Sequence, residues 1–290
     1  MEEHSMTIFE RINTSYYQLT AAERRVADCI LARHSEIQSM SITQLAETCG
    51  VADATISRFC RSLKLKGYNE FKLELAKGSV NPLQTDRTPE QQDPATFHGR
   101  CWESAQLAQE AITQTMDVIS QKSVEDVISL FERARHILCI GNGGSMIMAQ
   151  ECASLFSRVS PKFFALSDSH QQLTITANMD HHDAIVLFSY SGATRSGLEV
   201  IQLANSIGIP TVLITRYPTS PIAKLASHVL ECGSNEGPFQ LGSVQARIAQ
   251  LILLDILFRE YQYRNQDICS DNLRIVNAAL SIEHIIKRED

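Results

Sequence analysis

Two short loops in the second half of the chain combine glycines with hydroxyl side chains. They read Gly141-Asn-Gly-Gly-Ser145 and Ser189-Tyr-Ser-Gly-Ala-Thr194, and each follows an apolar run and precedes a segment with helical periodicity. Glycines let the backbone approach an anion, and hydroxyls donate hydrogen bonds to it. A helix N-terminus adds free N–H groups and the positive end of a dipole. The composition of both loops therefore predicts a phosphate-binding site.

The second loop is the more informative of the two. It places three hydroxyls around one glycine directly after an apolar strand, which is unfavourable unless a ligand uses the donors. The first loop is weaker evidence, because Gly-x-Gly-Gly turns also serve plain packing of a strand against a helix. It is not a nucleotide P-loop, since no Gly-Lys-Ser/Thr follows, and Met146 stands where a dinucleotide fingerprint has its third glycine.

Other kinds of chemistry find little support in the sequence. The eight cysteines form no C-x-x-C pair and have no partnering histidine cluster, which argues against zinc and against a disulfide framework. We expect no metal and no cofactor. No stretch approaches the roughly 18 to 20 apolar residues that span a bilayer, and the first residues lack the layout of a signal peptide. We therefore expect a cytoplasmic protein without membrane contact.

The charge of the chain is unevenly distributed. The net charge is −7, yet the segment 55–77 carries six basic residues against two acidic ones. The basic residues are Arg58, Arg61, Lys64, Lys66, Lys72 and Lys77. A local basic stripe on an acidic chain is typical of a small DNA-contacting module attached to a larger domain. Charge alone favours a solvated helix face over a DNA-binding module.

The basic stripe overlaps a pattern that favours a helix-turn-helix. Thr20-Ala-Ala-Glu23 and Ser41-Ile-Thr-Gln44 have the form of capping boxes, so each is expected to open a helix. Ala46 is small where two helices would cross, and Gly50 supplies the tight turn between them. Apolar residues at 51, 56 and 59 then pack the second helix against the first. An ordinary helical hairpin is the alternative.

This packing predicts the face of the second helix that enters a major groove. The predicted DNA-contacting residues are Asp53, Ala54, Thr55, Ser57, Arg58, Arg61 and Lys64. Arg58 and Arg61 are suited to guanine edges or to phosphates, and the hydroxyls at 55 and 57 to phosphates.

Composition also predicts the division into domains. Residues 79–96 carry three prolines and many small polar side chains, so we assign 1–80 to a helix-turn-helix head, 81–100 to a linker and 101–290 to a second domain. Short apolar runs at 136–140, 162–166, 184–189, 211–215 and 228–231 alternate with helical segments, and helices are expected at 245–263 and 271–287. The predicted fold is α/β, an all-helical head followed by a Rossmann-like doubly wound parallel sheet, with ligands at the carboxyl ends of the strands.

The head resembles a known family. Leu19-Thr-Ala-Ala-Glu-Arg-Arg-Val-Ala-Asp-Cys-Ile30, Gly50-Val-Ala-Asp-Ala-Thr-Ile-Ser-Arg-Phe-Cys-Arg-Ser-Leu63 and Gly67-Tyr-Asn-Glu-Phe-Lys72 are similar to the N-terminal head of RpiR-type regulators. The resemblance covers nearly the whole head. Ala52 is a departure, because the family usually has a serine there that caps the recognition helix. We expect Asp53 to cap the helix instead.

The second domain resembles the sugar isomerase (SIS) domain over about 123–263. This resemblance implies that Ser189, Ser191 and Thr194 hold a phosphate, with Gly143 and Gly192 shaping the two loops. It also implies that Ser145 touches the phosphate or a sugar hydroxyl, and that Asp168 and His170 lie near the sugar. His170 is equally well explained as a solvated or helix-capping side chain. The C-terminal motif of the family normally begins with serines where Gln245 and Ala246 stand.

Both resemblances together imply a transcription regulator that binds an operator in double-stranded DNA under the control of a sugar phosphate. A homodimer or homotetramer is expected, paired through apolar helices near 107–119 and 248–258. A phosphosugar isomerase is one alternative, with Glu236 or His170 as its base, and a regulator of a protein partner is another. We expect no catalytic residues, because neither base has a catalytic setting in the sequence and an isomerase has no use for a basic head.

Overall fold

The structure is a computed structural model that describes residues 8–37, 40–77, 93–233 and 244–280. Most of the predicted linker, and the segment with Glu236, lie outside these residues. The end of the predicted linker is helical, because a helix begins at Phe97 under the cap of Thr96, whose hydroxyl accepts from the backbone N–H of Gly99. The assignment of 97–100 to a linker is therefore wrong. Within the described residues no helix is long and apolar enough to cross a membrane.

The head is entirely helical. Its elements are α1 (Ile8–Ser15), a 3-10 turn (Tyr16–Gln18), α2 (Ala21–Ile37), α3 (Ile42–Cys49), α4 (Asp53–Ser62) and α5 (Tyr68–Lys77). Both predicted capping boxes are present. The N–H of Thr20 donates to the Glu23 carboxylate at 2.9 Å, with the reciprocal bond at 3.4 Å, and Ser41 and Gln44 exchange the same two bonds at 2.8 and 3.2 Å.

Helices α3 and α4 form the predicted helix-turn-helix. Gly50 ends α3 with φ 63°, the left-handed conformation that glycine adopts without strain. The N–H of Val51 then donates to the carbonyl of Ala46 at 2.9 Å, which turns the chain into α4. Ile56 and Phe59 of α4 are fully buried against the rest of the head.

The second domain is a five-stranded parallel sheet between helices. Its elements are α6 (Phe97–Val118), α7 (Gln121–Arg133), β1 (Ile137–Gly141), α8 (Gly144–Ser157), β2 (Phe163–Ala165), α9 (Ser169–Asn178), β3 (Ala184–Phe188), α10 (Arg195–Ile207), β4 (Thr211–Thr215), β5 (His228–Glu231), α11 (Val244–Arg264) and α12 (Gln266–Leu280). The five predicted strands and the helix predicted at 245–263 are confirmed. The helix predicted at 271–287 is present as far as Leu280, and its remainder lies outside the described residues.

The sheet order is β2-β1-β3-β4-β5, and all pairs are parallel. Strands β1, β3 and β4 are buried along their whole length because helices cover both faces of the sheet. The chain leaves β1 toward β2 and then returns to the other side of β1 with β3. The carboxyl ends of β1 and β3 therefore flank the switch in strand order, the position where such sheets bind ligands.

Candidate functional site

The two glycine and hydroxyl loops follow β1 and β3, and so lie at adjacent strand ends. Gly141, at the end of β1, is paired with Phe188 at the end of β3. The side-chain amide of Asn142 donates to the hydroxyl of Ser196 at 2.7 Å, which joins the first loop to the first turn of α10. The first loop leads into α8 and the second into α10, so two helix N-termini begin at this edge of the sheet.

The second loop holds two buried hydroxyls that nothing in the described chain uses. Ser189 is 3% exposed, and neither its Oγ nor the Oγ1 of Thr194 has a hydrogen-bond partner among the described residues. Thr194 occupies the N-cap of α10, where a threonine hydroxyl usually accepts from the helix backbone, but it makes no such bond. The Oγ of Ser191 accepts from the N–H of Ala193 at 3.3 Å. Buried unused donors are unfavourable without a ligand.

The backbone of this loop requires a glycine. Gly192 has φ 60°, and a Cβ built there would lie 2.0 Å from the Oγ of Ser220, which is fully buried. The N–H of Gly192 donates to the carbonyl of Ser189 at 3.0 Å, closing a tight turn. Ser220 therefore limits how closely the loop approaches it, and no side chain at position 192 fits between the loop backbone and Ser220.

The first loop is more open, and a cation reaches it. Gly143 has φ 55°, with nothing within 4 Å of a Cβ placed on it. Ser145 is half-buried in the first turn of α8. A Cβ on Gly144 would lie 3.3 Å from a guanidinium nitrogen of Arg247, in the first turn of α11. Arg247 was missed by the sequence reasoning, and its only signal there is a basic residue at the start of the last long apolar helix.

Asp168 and His170 lie at the adjacent end of β2. Asp168 caps α9, with its carboxylate accepting from the N–H of Gln171 at 2.8 Å. His170 is exposed in the first turn of the same helix. Buried Gln172 donates to the carbonyl of Leu166 at 2.7 Å and, at 3.5 Å, to that of Gly141. These bonds tie α9 to the end of β1, where the first loop begins.

Most of the predicted DNA-contacting residues lie on the outer face of α4. Ala54, Arg58, Arg61 and Lys64 are exposed and Ser57 is half-buried. Lys64 follows α4 in the left-handed conformation with φ 61°.

Two predictions for this helix are wrong. Thr55 is only 5% exposed, because it lies four residues before buried Phe59 and shares its face. Its hydroxyl accepts from Arg58 at 3.3 Å. Asp53 does not cap α4, since Ala52 holds the N-cap position and no side chain caps the helix. The carboxylate of Asp53 instead accepts from the hydroxyl of Thr43 on α3 at 2.9 Å.

The opposite edge of the sheet carries a cluster of paired charges. The carboxylate of Asp183 accepts from the Arg135 guanidinium at 2.9 and 3.1 Å and from the N–H of Asp180 at 3.0 Å, and His136 Nδ1 lies 3.1 Å from it. Burial raises the pKa of Asp183, but these bonds outweigh it and hold that pKa below its usual value. In the described chain, Asp180, His181 and His182 bring potential metal-ligand atoms within 4.8 Å of one another, and Asp180 already pairs with Arg135 at 3.0 Å.

Known proteins resemble this chain over most of its length. The helix-turn-helix domain of the rpiR family matches residues 6–81 and the SIS domain matches 130–259. An uncharacterized HTH-type transcriptional regulator of Caldanaerobacter subterraneus subsp. tengcongensis is 31% identical over 87% of this chain and 88% of its own. HexR of Escherichia coli is 27% identical over 95% and 94%. The structure of Vibrio vulnificus NanR complexed with ManNAc-6P matches with a TM-score of 0.62 and 25% identity, covering 96% and 99%.

The matches agree with the architecture. The rpiR helix-turn-helix range contains the α3–α4 pair, and the SIS range contains both loops at the switch in strand order. The similarity to the HTH-type regulator of C. subterraneus extends over 256 residues, which is more than either domain alone contains. The protein therefore belongs to the rpiR family of HTH-type transcriptional regulators with a SIS domain.

Proposed function

We propose that this regulator binds a sugar phosphate between the loops after β1 and β3, and that the bound sugar phosphate controls how the head binds an operator in double-stranded DNA. The observation that carries the proposal is the pair of buried, unused hydroxyls of Ser189 and Thr194. Because these hydroxyls are already held in place, they donate hydrogen bonds to a phosphate with little further loss of conformational entropy.

The other groups around the loops complement a phosphate. Ser191, Ser145 and the glycine backbones of both loops add donors, and the N-termini of α8 and α10 add positive dipole ends. Arg247 beside Gly144 adds a full positive charge. Hydrogen bonds to an ionised group are roughly twice as strong as bonds between neutral groups. A dianionic phosphate is therefore the ligand group that uses this set of donors best.

We propose that the sugar lies toward the end of β2, near Asp168 and His170 at the start of α9. NanR, which is similar over nearly the whole chain, was solved with ManNAc-6P. That relative supports a sugar phosphate as the class of ligand.

We propose binding without turnover. Isomerisation of a sugar phosphate requires a base at the first two carbons. Among the described residues, the polar side chains at the two loops are hydroxyls, an amide and a guanidinium, none of which is a base near neutral pH. Exposed His170 is the base candidate among these residues, and it lies in the first turn of α9, outside both loops. A sugar phosphate incubated with the protein is therefore expected to remain unchanged when followed by NMR.

The DNA interface is assigned to the outer face of α4. Arg58, Arg61 and Lys64 supply positive charge, and Ala54 and Ser57 lie on the turn of α4 that precedes Arg58. Thr55 is assigned a positioning role, since its hydroxyl holds the Arg58 side chain. Asp53 is likewise assigned to the α3–α4 contact rather than to DNA.

A paired assembly fits this interface, because two recognition helices are needed to read a palindromic site. Large apolar side chains are exposed on α6, α11 and α12, among them Met116, Leu251, Tyr263 and Ile275. An open cavity of about 940 Å³ lies between these helices and α7. We propose that these helices pair in a homodimer or homotetramer. A monomer in light scattering would contradict this.

The DNA assignment is tested with Arg58→Ala and Arg61→Ala on a duplex selected by the protein from a random pool. Each change is expected to weaken binding by about 1 to 3 kcal/mol. The control is Arg158→Ala, which removes the same charge from the exposed C-terminal end of α8. If both α4 variants bind the duplex with the affinity of the parent, α4 does not form the DNA interface.

The ligand assignment is tested by thermal shift with a panel of sugar phosphates, using the unphosphorylated sugars as controls. A ligand at 100 times its Kd stabilises the folded protein by about 2.7 kcal/mol. The same compound is expected to change the affinity for the selected duplex. No stabilisation by any sugar phosphate would contradict the proposed function.

A further inference from the structure

The head contacts the candidate phosphate loop directly. The 3-10 turn Tyr16–Gln18 of the head lies against the carboxyl edge of the sheet, and the hydroxyl of Tyr17 donates to the backbone carbonyl of Ser191. Beside it, the hydroxyl of Thr219 donates to the carbonyl of Thr14 at 2.9 Å. The two domains are thus joined by hydrogen bonds at the loop whose hydroxyls are unused.

Aromatic rings surround these bonds. Tyr217, in the segment after β4, is fully buried and belongs to the hydrophobic core of the head rather than to that of its own domain. Its ring centroid lies 5.3 Å from that of Tyr16, 5.6 Å from that of Tyr17 and 6.1 Å from that of Tyr190, which is part of the phosphate loop. We call Tyr16, Tyr17, Tyr190 and Tyr217 the tyrosine cluster.

The tyrosine cluster is bonded to the backbone of the loop. The hydroxyl of Thr215 donates to the carbonyl of Tyr190 at 3.0 Å and accepts from the N–H of Tyr217 at 3.2 Å. The N–H of Arg216 donates to the same carbonyl at 3.1 Å. A shift of the loop at Tyr190 therefore moves Tyr217 within the head.

The Tyr17 bond is partly buried. Burial raises the pKa of Tyr17 to about 12, so the hydroxyl remains a proton donor across the physiological range. Burial also raises the pKa of Tyr217 above its ordinary value. Hydrogen bonds and ring contacts that are partly removed from water are stronger than those at the open surface.

We propose that phosphate binding in the loop and docking of the head through the tyrosine cluster stabilise each other, so that the head senses the ligand by direct contact. This inference rests on the proposed function. Tyr17 holds the Ser191 carbonyl, and Thr215 holds that of Tyr190, while the Ser189 hydroxyl is left for the ligand. A loop fixed in this way loses less entropy when phosphate binds. By linkage, phosphate then stabilises the docked head by the same factor.

The test uses the full chain and inorganic phosphate as the probe. Hydrogen exchange is measured in a loop peptide covering 189–194 and a head peptide covering 13–20, in the parent and in Tyr17→Phe. The matched control is Tyr68→Phe, since Tyr68 donates a comparable bond to the carbonyl of Met40 inside the head at 3.0 Å. Thr219→Val serves as a second variant, because it removes the interdomain bond to the carbonyl of Thr14 with little change in shape.

In the parent and in Tyr68→Phe, phosphate is expected to slow exchange in both peptides. In Tyr17→Phe the phosphate affinity should fall by about twofold to tenfold, the range for one hydrogen bond, and the response of the head peptide should fall by the same factor. Thr219→Val should act in the same direction.

Two results would overturn the inference in distinguishable ways. If phosphate slows exchange in the loop peptide but leaves the head peptide unchanged, or if both variants respond like the parent, the coupling is wrong and the phosphate site stands. If phosphate leaves the loop peptide of the parent unchanged, the site itself is wrong, and the coupling with it.

Discussion

The two edges of the parallel sheet treat buried polar groups in opposite ways. At the amino edge, the Asp183 carboxylate is 2% exposed and is bonded to Arg135 and to the backbone of Asp180. At the carboxyl edge, the Ser189 hydroxyl is 3% exposed and has no partner in the part of the chain that the structure describes. The two groups are equally deep, so depth alone does not decide whether a buried polar group is satisfied.

This difference separates a group that holds the fold from a group that is kept for a ligand. A buried carboxylate that is fully bonded contributes to stability, and removing its charge leaves its partners unsatisfied. A buried hydroxyl without a partner contributes nothing to the unliganded fold and costs desolvation. Substitutions at the amino edge should therefore affect stability, and substitutions at the carboxyl edge should affect binding.

The largest effect is expected for Ser189→Ala combined with Ser191→Ala. Each lost bond to a charged phosphate is worth about 1.5 to 3 kcal/mol, so sugar-phosphate affinity should fall by orders of magnitude. Stability without ligand should change little, because the Ser189 hydroxyl has no partner among the described residues and the Ser191 hydroxyl accepts only the long bond from the N–H of Ala193 at 3.3 Å. Calorimetric titration measures the first quantity and urea unfolding the second.

DNA binding in a gel shift should survive in this double variant, although the effector should no longer change it. Ser206→Ala, an exposed hydroxyl at the far end of α10, is the control. A large loss of stability in the double variant would show that the hydroxyls at the carboxyl edge hold the fold, as Asp183 does at the amino edge. Retained effector affinity would place the phosphate elsewhere.

The next effect is expected for Gly192→Ala. A left-handed alanine costs about 1 to 2 kcal/mol, and the clash with buried Ser220 adds about 1 to 3 kcal/mol. Gly208→Ala is the matched control, since Gly208 has φ 84° and open space around its Cβ position. Thermal unfolding should show the larger loss for Gly192→Ala, with ligand binding lost as well. Equal losses of stability in the two variants would show that the Ser220 side chain moves to make room for the alanine.

The smallest effect is expected for Asp183→Asn, at about 1 to 3 kcal/mol of unfolding free energy. Because the folded-state pKa of Asp183 is lowered, its contribution is present above the unfolded pKa of about 3.9 and is lost as pH falls through the folded value. The variant should therefore be less stable at neutral pH and should lose less stability on acidification. Sugar-phosphate affinity should not change.

Urea unfolding at a series of pH values checks this, with Asp255→Asn as the control because Asp255 forms an exposed pair with Arg259. If both variants lose the same unfolding free energy at every pH, the buried carboxylate of Asp183 stabilises the protein no more than an exposed one does.

The sequence was sufficient for the features that depend on local pattern. Apolar runs bounded by turns predict buried parallel strands. Both glycine loops were predicted because glycines and hydroxyl residues come directly after the runs that form β1 and β3. The outward position predicted for Thr55 was wrong, because Thr55 lies one helical turn before Phe59 and shares its buried face. The spacing from apolar Phe59 was the signal in the sequence that could have placed Thr55 on the inner face.

Long-range contacts were beyond the sequence for a different reason. Tyr17 and Ser191 are separated by 174 positions, and their contact depends on how one domain rests on the other. Arg247 reaches Gly144 only because α11 starts beside α8. The need for glycine at 192 depends in the same way on Ser220 lying beneath the loop. These contacts arise from tertiary packing, which no local pattern records.

The place of Tyr217 in the core of the head limits how freely the two halves of this regulator can be recombined. A chimera that joins another head to this SIS domain would present Tyr217 to a surface lacking Tyr16 and Tyr17. A head grafted from this protein onto another sensor would have an unfilled hole in its core. Modular exchange within the family therefore requires the rings at 16, 17, 190 and 217 to be transplanted as one set.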